Sequence, residues 1–157
     1  MALTSDKELF EIFETEEIES KLDEIIVRSL NIKKNVVEQD EKEAGLRKIL
    51  NFGHTVGHGI ESTQRQTDLY HGECVALGMI PMCGDAIRPR VIEVLQKCNL
   101  YRSVPYDWDA IAEAAFHDKK ADGSAVTVIM VSDIGSFEMK TMSCTEVIAH
   151  AKTYLGE

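Results

Sequence analysis

Apolar residues recur at helical spacing through most of the chain and alternate with a period of two near its C-terminus. Thr4, Ser5 and Asp6 each offer a cap for a first helix to about Glu14. Thr15, with Ile18, Leu22, Ile25, Ile26 and Leu30, predicts a second helix with a capped start and an apolar stripe. Asn35-Val-Val37 reads as a short extended piece, and Glu38 to Glu43 as a charged turn. From Arg47 a glycine-bearing helix is expected to about Thr63, followed by a polar loop from Gln64 to Tyr70. His71 opens a further apolar helix to Ile80, which Pro81 disturbs. Val91 to Leu100 and Trp108 to Phe116 read as short helices, the second capped by Asp107. Ala125 to Val131 is β-branched and apolar, Ser132 to Ser136 is a turn, and Phe137 to Met142 alternates, which predicts a hairpin. Ser143, with Glu146 three residues on, caps a last helix from Thr145 to Leu155. The expected fold is mainly α: one multi-helix domain over 1–157, with one small β-hairpin near its C-terminus.

Composition narrows the picture. A chain of 157 residues can bury roughly 70% of its unfolded surface, enough for a real core. The net charge of −10 argues against nucleic-acid and anionic-membrane partners. The acid concentrated between Glu8 and Glu24 reads as a solvated helix face. Cys74, Cys83, Cys98 and Cys144 show no metal or disulfide spacing, so reduced thiols and a cytoplasmic location are expected. No apolar run approaches the ~20 residues that span a bilayer.

Chemistry concentrates in Arg47-Lys-Ile-Leu-Asn51-Phe-Gly-His54-Thr-Val-Gly-His58 and in His71-Gly-Glu73. Three of the five histidines fall within this stretch. His54 and His58 are four apart, so on one helix they share a face, with Cβ atoms roughly 5–6 Å apart. Imidazole is a common metal ligand and a near-neutral acid or base. Asn51 and Arg47, about one and two turns upstream, add donors suited to an anionic, hydroxylated ligand. The pattern differs from the zinc-protease motif, because Thr55 stands where that motif needs glutamate. Gly53, Gly57 and Gly59 suggest that something approaches the backbone closely, since glycine costs a helix about 1 kcal/mol relative to alanine. The plainer alternatives are a core histidine, a surface pair of Arg47 with Glu43, Asn51 as a helix cap, Glu73 as a helix-end charge and Cys74 as a small buried hydrophobe.

These residues resemble the helical C-terminal domain of 3-dehydroquinate synthases. The resemblance rests on Lys33-Lys-Asn-Val-Val37, Asp40-Glu-Lys-Glu43, Gly45-Leu-Arg47, Leu50 to His58, His71 to Met79, Asp118-Lys-Lys120 and the final hairpin with Ile134-Gly135, and it covers essentially the whole chain. It implies a two-domain enzyme that uses NAD and a divalent metal, usually zinc, to convert a seven-carbon sugar-acid phosphate into 3-dehydroquinate in the shikimate pathway. It implies that His54 and His71 ligate the metal and that His58 contacts the substrate as part of a catalytic proton network. Lys33, Arg47, Asn51 and Lys119 match substrate-binding positions. Spacing alone would have paired His54 with His58.

The resemblance also implies what lies elsewhere. No glycine-rich strand–turn–helix fingerprint for a dinucleotide occurs here, so NAD is expected on an N-terminal domain absent from this chain. A third metal ligand, a glutamate with a nearby lysine, is expected in a segment just before this chain begins, whose tail end Met1 to Asp6 resembles. The isolated chain is therefore expected to bind zinc weakly, to be inactive and to self-associate, with the missing domain as its partner. Two other readings stay open: a related sugar-phosphate cyclase or metal-dependent polyol dehydrogenase, and a stand-alone helical binding module.

Overall fold

The computed structural model describes residues 1–63, 69–116 and 125–156. Lys119, and the expected loop from Gln64 to Asp68, lie outside the described residues. The described chain is mainly helical, with a two-stranded antiparallel hairpin near its C-terminus, as expected.

A short helix α1 (Ala2–Ser5) leads into α2 (Lys7–Thr15). The Asp6 carboxylate accepts from the Leu9 amide at 2.9 Å, so of the three candidate caps Asp6 serves α2. Thr15 ends this helix instead of starting the next. A 3-10 turn (Ile18–Lys21) intervenes, and α3 runs from Leu22 to Gln39. The extended piece expected at Asn35 to Val37 is helical, because Val36 is buried and helical pairing carries on to the Asp40 amide, which bonds the Val36 carbonyl. The expected apolar stripe is mostly exposed: Ile25 is buried, whereas Leu22, Ile26 and Leu30 are 49%, 46% and 59% exposed.

A single helix from Arg47 to Thr63 does not form. Leu46–Asn51 is a 3-10 segment, and Gly53 turns the chain with φ +78° before α4 (His54–Thr63) begins. α5 spans His71–Met79 and stops ahead of Pro81. α6 covers Arg88–Lys97, starting earlier than expected because Pro89 is favoured in a first helical turn. α7 is Trp108–Phe116, with the Asp107 carboxylate accepting from the Ala110 amide at 3.0 Å.

β1 (Ala125–Met130) pairs antiparallel with β2 (Glu138–Ser143), in a register that sets Val126 opposite Met142 and Val128 opposite Lys140. Beyond β1, Val131 bonds the segment after α5 through Gly84 N–H to Val131 O at 2.8 Å and Val131 N–H to Met82 O at 2.9 Å. The last helix α8 (Cys144–Leu155) starts with the expected capping box of Ser143 and Glu146.

The core lies around α4 and α5. Val56, Ile60, Cys74 and Leu77 are fully buried, joined by Val91, Ile111, Phe116, Val131 and Val147 from the surrounding elements. The close approach that the glycines suggested is made by neighbouring backbone. A methyl at Gly57 would stand 2.9 Å from the Val75 Cα on α5. One at Gly59 would stand 2.9 Å from the Ile111 carbonyl on α7, and one at Gly78 would fall on the Gly53 carbonyl. These contacts set the spacing of the two helices that carry the histidines.

Candidate metal and substrate site

His54 opens α4, His58 follows one turn later on the same face, and His71 opens α5. The glycine-mediated contact of the helices brings all three rings together. Centroids are 5.2 Å apart for His54 and His58, 5.7 Å for His54 and His71, and 5.6 Å for His58 and His71. One ligand nitrogen from each lies within 4.8 Å of the others. Four-coordinate zinc holds nitrogens at about 2.1 Å, and hence roughly 3.4 Å from one another, so modest side-chain rotation closes the set. The residues present therefore fit a divalent cation of the imidazole-accepting kind.

Two of the rings are already oriented. The His54 Nδ1 lies 3.2 Å from the Phe52 carbonyl, and the His71 Nδ1 lies 2.9 Å from a Glu61 carboxylate oxygen. A carbonyl and an ionised carboxylate both accept, so each contact favours the tautomer with its proton on Nδ1 and its lone pair on Nε2. Burial is the main cause that holds the His54 imidazole below its ordinary pKa, which favours the neutral, ligating form.

Around the histidines the sequence-derived residues take different places. Arg47 lies on the 3-10 segment, and one guanidinium nitrogen donates to the Glu41 carbonyl at 2.8 Å. Its backbone amide donates to Asp40 at 2.9 Å, as do the amides of Gly45 at 2.7 Å and Ala44 at 2.8 Å. That triple acceptance, led by the Arg47 bond, holds the Asp40 carboxyl below its usual pKa and ties down the loop before Arg47. Asn51 is exposed and donates to the Glu43 carboxylate at 2.8 Å. It lines an open polar pocket of about 360 Å³ with Glu43, Lys48, Thr55 and the edge of β1. Lys33 is exposed on α3 and has no hydrogen-bond or ion-pair partner among the described residues.

Two of the plainer readings fit neighbours of the cluster. Glu73 is buried and accepts from the Tyr70 amide at 2.8 Å, closing the first turn of α5. Cys74 is fully buried, and burial pushes its thiol up to about 11, so it stays protonated within the core. Glu61 went unmarked in the sequence. Its signal was nonetheless there, because His54, His58 and Glu61 stand at i, i+4 and i+7, which is one face of a helix.

With this geometry in view, the relatives are informative. Residues 1–121 match the family model described as 3-dehydroquinate synthase C-terminal. The 3-dehydroquinate synthase of Campylobacter concisus is 38% identical over 151 residues, covering 89% of this chain and 44% of that protein. Sulfurimonas denitrificans has one that is 41% identical over 147 residues, covering 86% of this chain and 42% of its own length. The chain thus spans less than half the length of these relatives. Among solved structures, 2-epi-5-epi-valiolone synthase from Streptomyces hygroscopicus subsp. jinggangensis, with NAD+ and Zn2+ bound, superposes with a TM-score of 0.75. It is 23% identical, and the match covers 97% of this chain and 47% of that one. A 2-deoxy-scyllo-inosose synthase complexed with carbaglucose-6-phosphate, NAD+ and Co2+ gives 0.71 at 24% identity, over 87% of this chain and 42% of that one. At that identity the two structures establish a shared fold. The motif-bearing helices, the family model and the curated relatives agree that the chain belongs to the 3-dehydroquinate synthase family and corresponds to its C-terminal part.

Proposed function

We propose that the chain is the metal- and substrate-binding half of a 3-dehydroquinate synthase. The whole enzyme would cyclise 3-deoxy-D-arabino-heptulosonate 7-phosphate to 3-dehydroquinate with release of phosphate, a carbon–oxygen lyase step of the shikimate route in the cytoplasm. The three-histidine cluster at the α4–α5 contact carries this reading, with the family membership behind it. Among the described residues no helix is long and apolar enough to cross a membrane.

In this reading His54 and His71 hold a divalent cation, zinc by preference. When bound, it would polarise a substrate hydroxyl as a Lewis acid. His58, exposed beside them, faces the substrate and moves a proton. Arg47 and Asn51 keep donors beyond those engaged by Glu41 and Glu43, and Lys33 keeps all of its own, so these side chains can meet carboxylate and phosphate oxygens. Lys119 is assigned to the same anion-binding set. NAD would be bound by the part of the enzyme that the relatives have outside the span matched here. Two cyclases of the same fold have NAD+ bound, which supports NAD as the cofactor.

The cluster itself favours a second reading, in which His58 is a third ligand. Three imidazoles plus an open position make a recognised catalytic zinc arrangement. Zinc titration of the chain and of His54→Ala, His58→Ala and His71→Ala separates the two. Binding lost in the first and last variants and kept in the second supports the two-histidine assignment. Binding lost equally in all three supports the three-histidine one. Zinc affinity unmoved by any of the three would sink both. Separately, the pure chain should show no turnover of the heptulosonate phosphate, with or without added NAD.

A further inference from the structure

Glu61 stands beside the three-histidine cluster and contacts one of its rings. Its carboxylate lies 2.9 Å from the His71 Nδ1 and thereby reaches from the third turn of α4 to the first residue of α5. His54 and His71 stand on separate helices, so the ladder of one helix does not fix the two rings relative to each other. His71 is also 53% exposed at its side chain, so packing constrains its rotamer less than it would in the core. His54 differs: it is half-buried, and the backbone carbonyl of Phe52 holds its Nδ1. The centre thus has one ring anchored by main chain and one anchored by a single side chain.

We propose that Glu61 is the positioning residue of this centre. It accepts from His71 Nδ1–H, holds the tautomer whose lone pair is on Nε2, and aims that lone pair into the cluster. The inference rests on the metal-site reading above and extends it to a residue outside the ligand set. The plainer alternative is an exposed surface pair, since Glu61 is itself 41% exposed, and such pairs contribute little when nothing depends on their geometry. What separates the two is consequence. A surface pair can be deleted without effect on zinc, whereas a carboxylate that orients a ligating histidine changes metal affinity about 10–100-fold when removed.

The test uses the intact chain and two variants, Glu61→Ala and Glu61→Gln. Glutamine retains an oxygen that accepts from Nδ1–H and loses the charge, while alanine loses both. Long-range proton–nitrogen NMR reports the His71 tautomer without metal, and calorimetric zinc titration reports affinity. Circular dichroism confirms that each variant is folded. The expected result is the Nδ1–H tautomer in the parent chain and in Glu61→Gln, and a mixture rich in Nε2–H in Glu61→Ala. Zinc affinity should fall about 10–100-fold in Glu61→Ala and less than that in Glu61→Gln. Parent-level affinity in Glu61→Ala would overturn the inference whatever the tautomer does, and so would an Nδ1–H tautomer that survives the alanine substitution. A parent chain that binds no zinc would instead overturn the metal-site reading, and this extension with it.

Discussion

The α4–α5 pair and α3 are both helical and both carry residues assigned to the site, yet they are held in opposite ways. α4 meets α5 and α7 backbone to backbone: Gly53, Gly57, Gly59 and Gly78 leave no room for a methyl group. α3 is the longest described helix at 18 residues, but it buries few side chains, Ile25 and Val36 among its apolar ones. Leu22, Ile26, Val27 and Leu30 remain exposed. Ion pairs add to that attachment. Arg28 donates to both Asp6 oxygens, at 2.7 and 3.0 Å, and to Glu8 at 3.1 Å. The lesson is that helix formation and helix packing are separate matters. α3 has the stripe of a packed helix and leaves most of it in water, whereas α4 has poor helix formers at its packed positions and is fixed by them.

The strongest way to break this contrast is Gly78→Ala. The new methyl would fall on the Gly53 carbonyl and within 2.7 Å of the Gly57 amide, both backbone groups that cannot rotate away. Alanine gains about 1 kcal/mol of helix propensity, but forcing apart two close-packed backbones costs more, so a net loss of about 2–3 kcal/mol is expected. Urea denaturation measures it, and zinc affinity should fall in parallel, because His71 moves with α5. A variant as stable as the parent would mean that the two helices slide freely.

Next in size is the ionic tether of α3. Asp6→Ala removes both the α2 cap and the Arg28 partner, for an expected loss of about 1–2 kcal/mol. The hydrogen bond from Arg28 is the main cause that lowers the Asp6 pKa. The unfolded chain therefore takes up this proton first as pH falls. The stabilisation is complete above about pH 4, the ordinary carboxyl value, and is lost as pH drops through the lowered folded value. The parent should thus lose stability in acid more steeply than Asp6→Ala does, as pH-dependent denaturation midpoints can show. Parallel curves for the two proteins would remove the tether from the account.

The same contrast explains what was legible in the sequence. Caps and periods are local, so Asp107 ahead of α7, the Ser143–Glu146 box and the hairpin could be read directly. The family motifs gave the histidine set, and packing then brought His58 into it, which spacing and resemblance had each divided differently. Other features depended on tertiary contact. Nothing local says that Val36 is buried and keeps Asn35 to Val37 helical. The positive φ at Gly53, which separates Arg47 and Asn51 from the helix of His54, is demanded by α5 lying against it. Glu61 was visible as a helical face and became meaningful only when His71 arrived from another helix.

The smallest expected effect tests the other side of the contrast. Leu30→Lys and Ile26→Lys place charges on the face of α3 that is already in water, 59% and 46% exposed. Lysine is a good helix former, and an exposed site away from caps and cavities changes stability by about 0.5 kcal/mol or less. Ile25→Ala, one residue from Ile26 and buried at 8% exposure, serves as the internal control. It should cost about 2–4 kcal/mol, because it empties a filled site. Urea midpoints of the three variants, each run at low and high protein concentration, read the difference within about one and a half turns of helix. Two adjacent isoleucines separated by 2 kcal/mol or more would show that α3 is bound by one side only. If Ile26→Lys or Leu30→Lys costs as much as Ile25→Ala, and more so at high concentration, the apolar face is covered by a second copy in solution and α3 is as packed as α4.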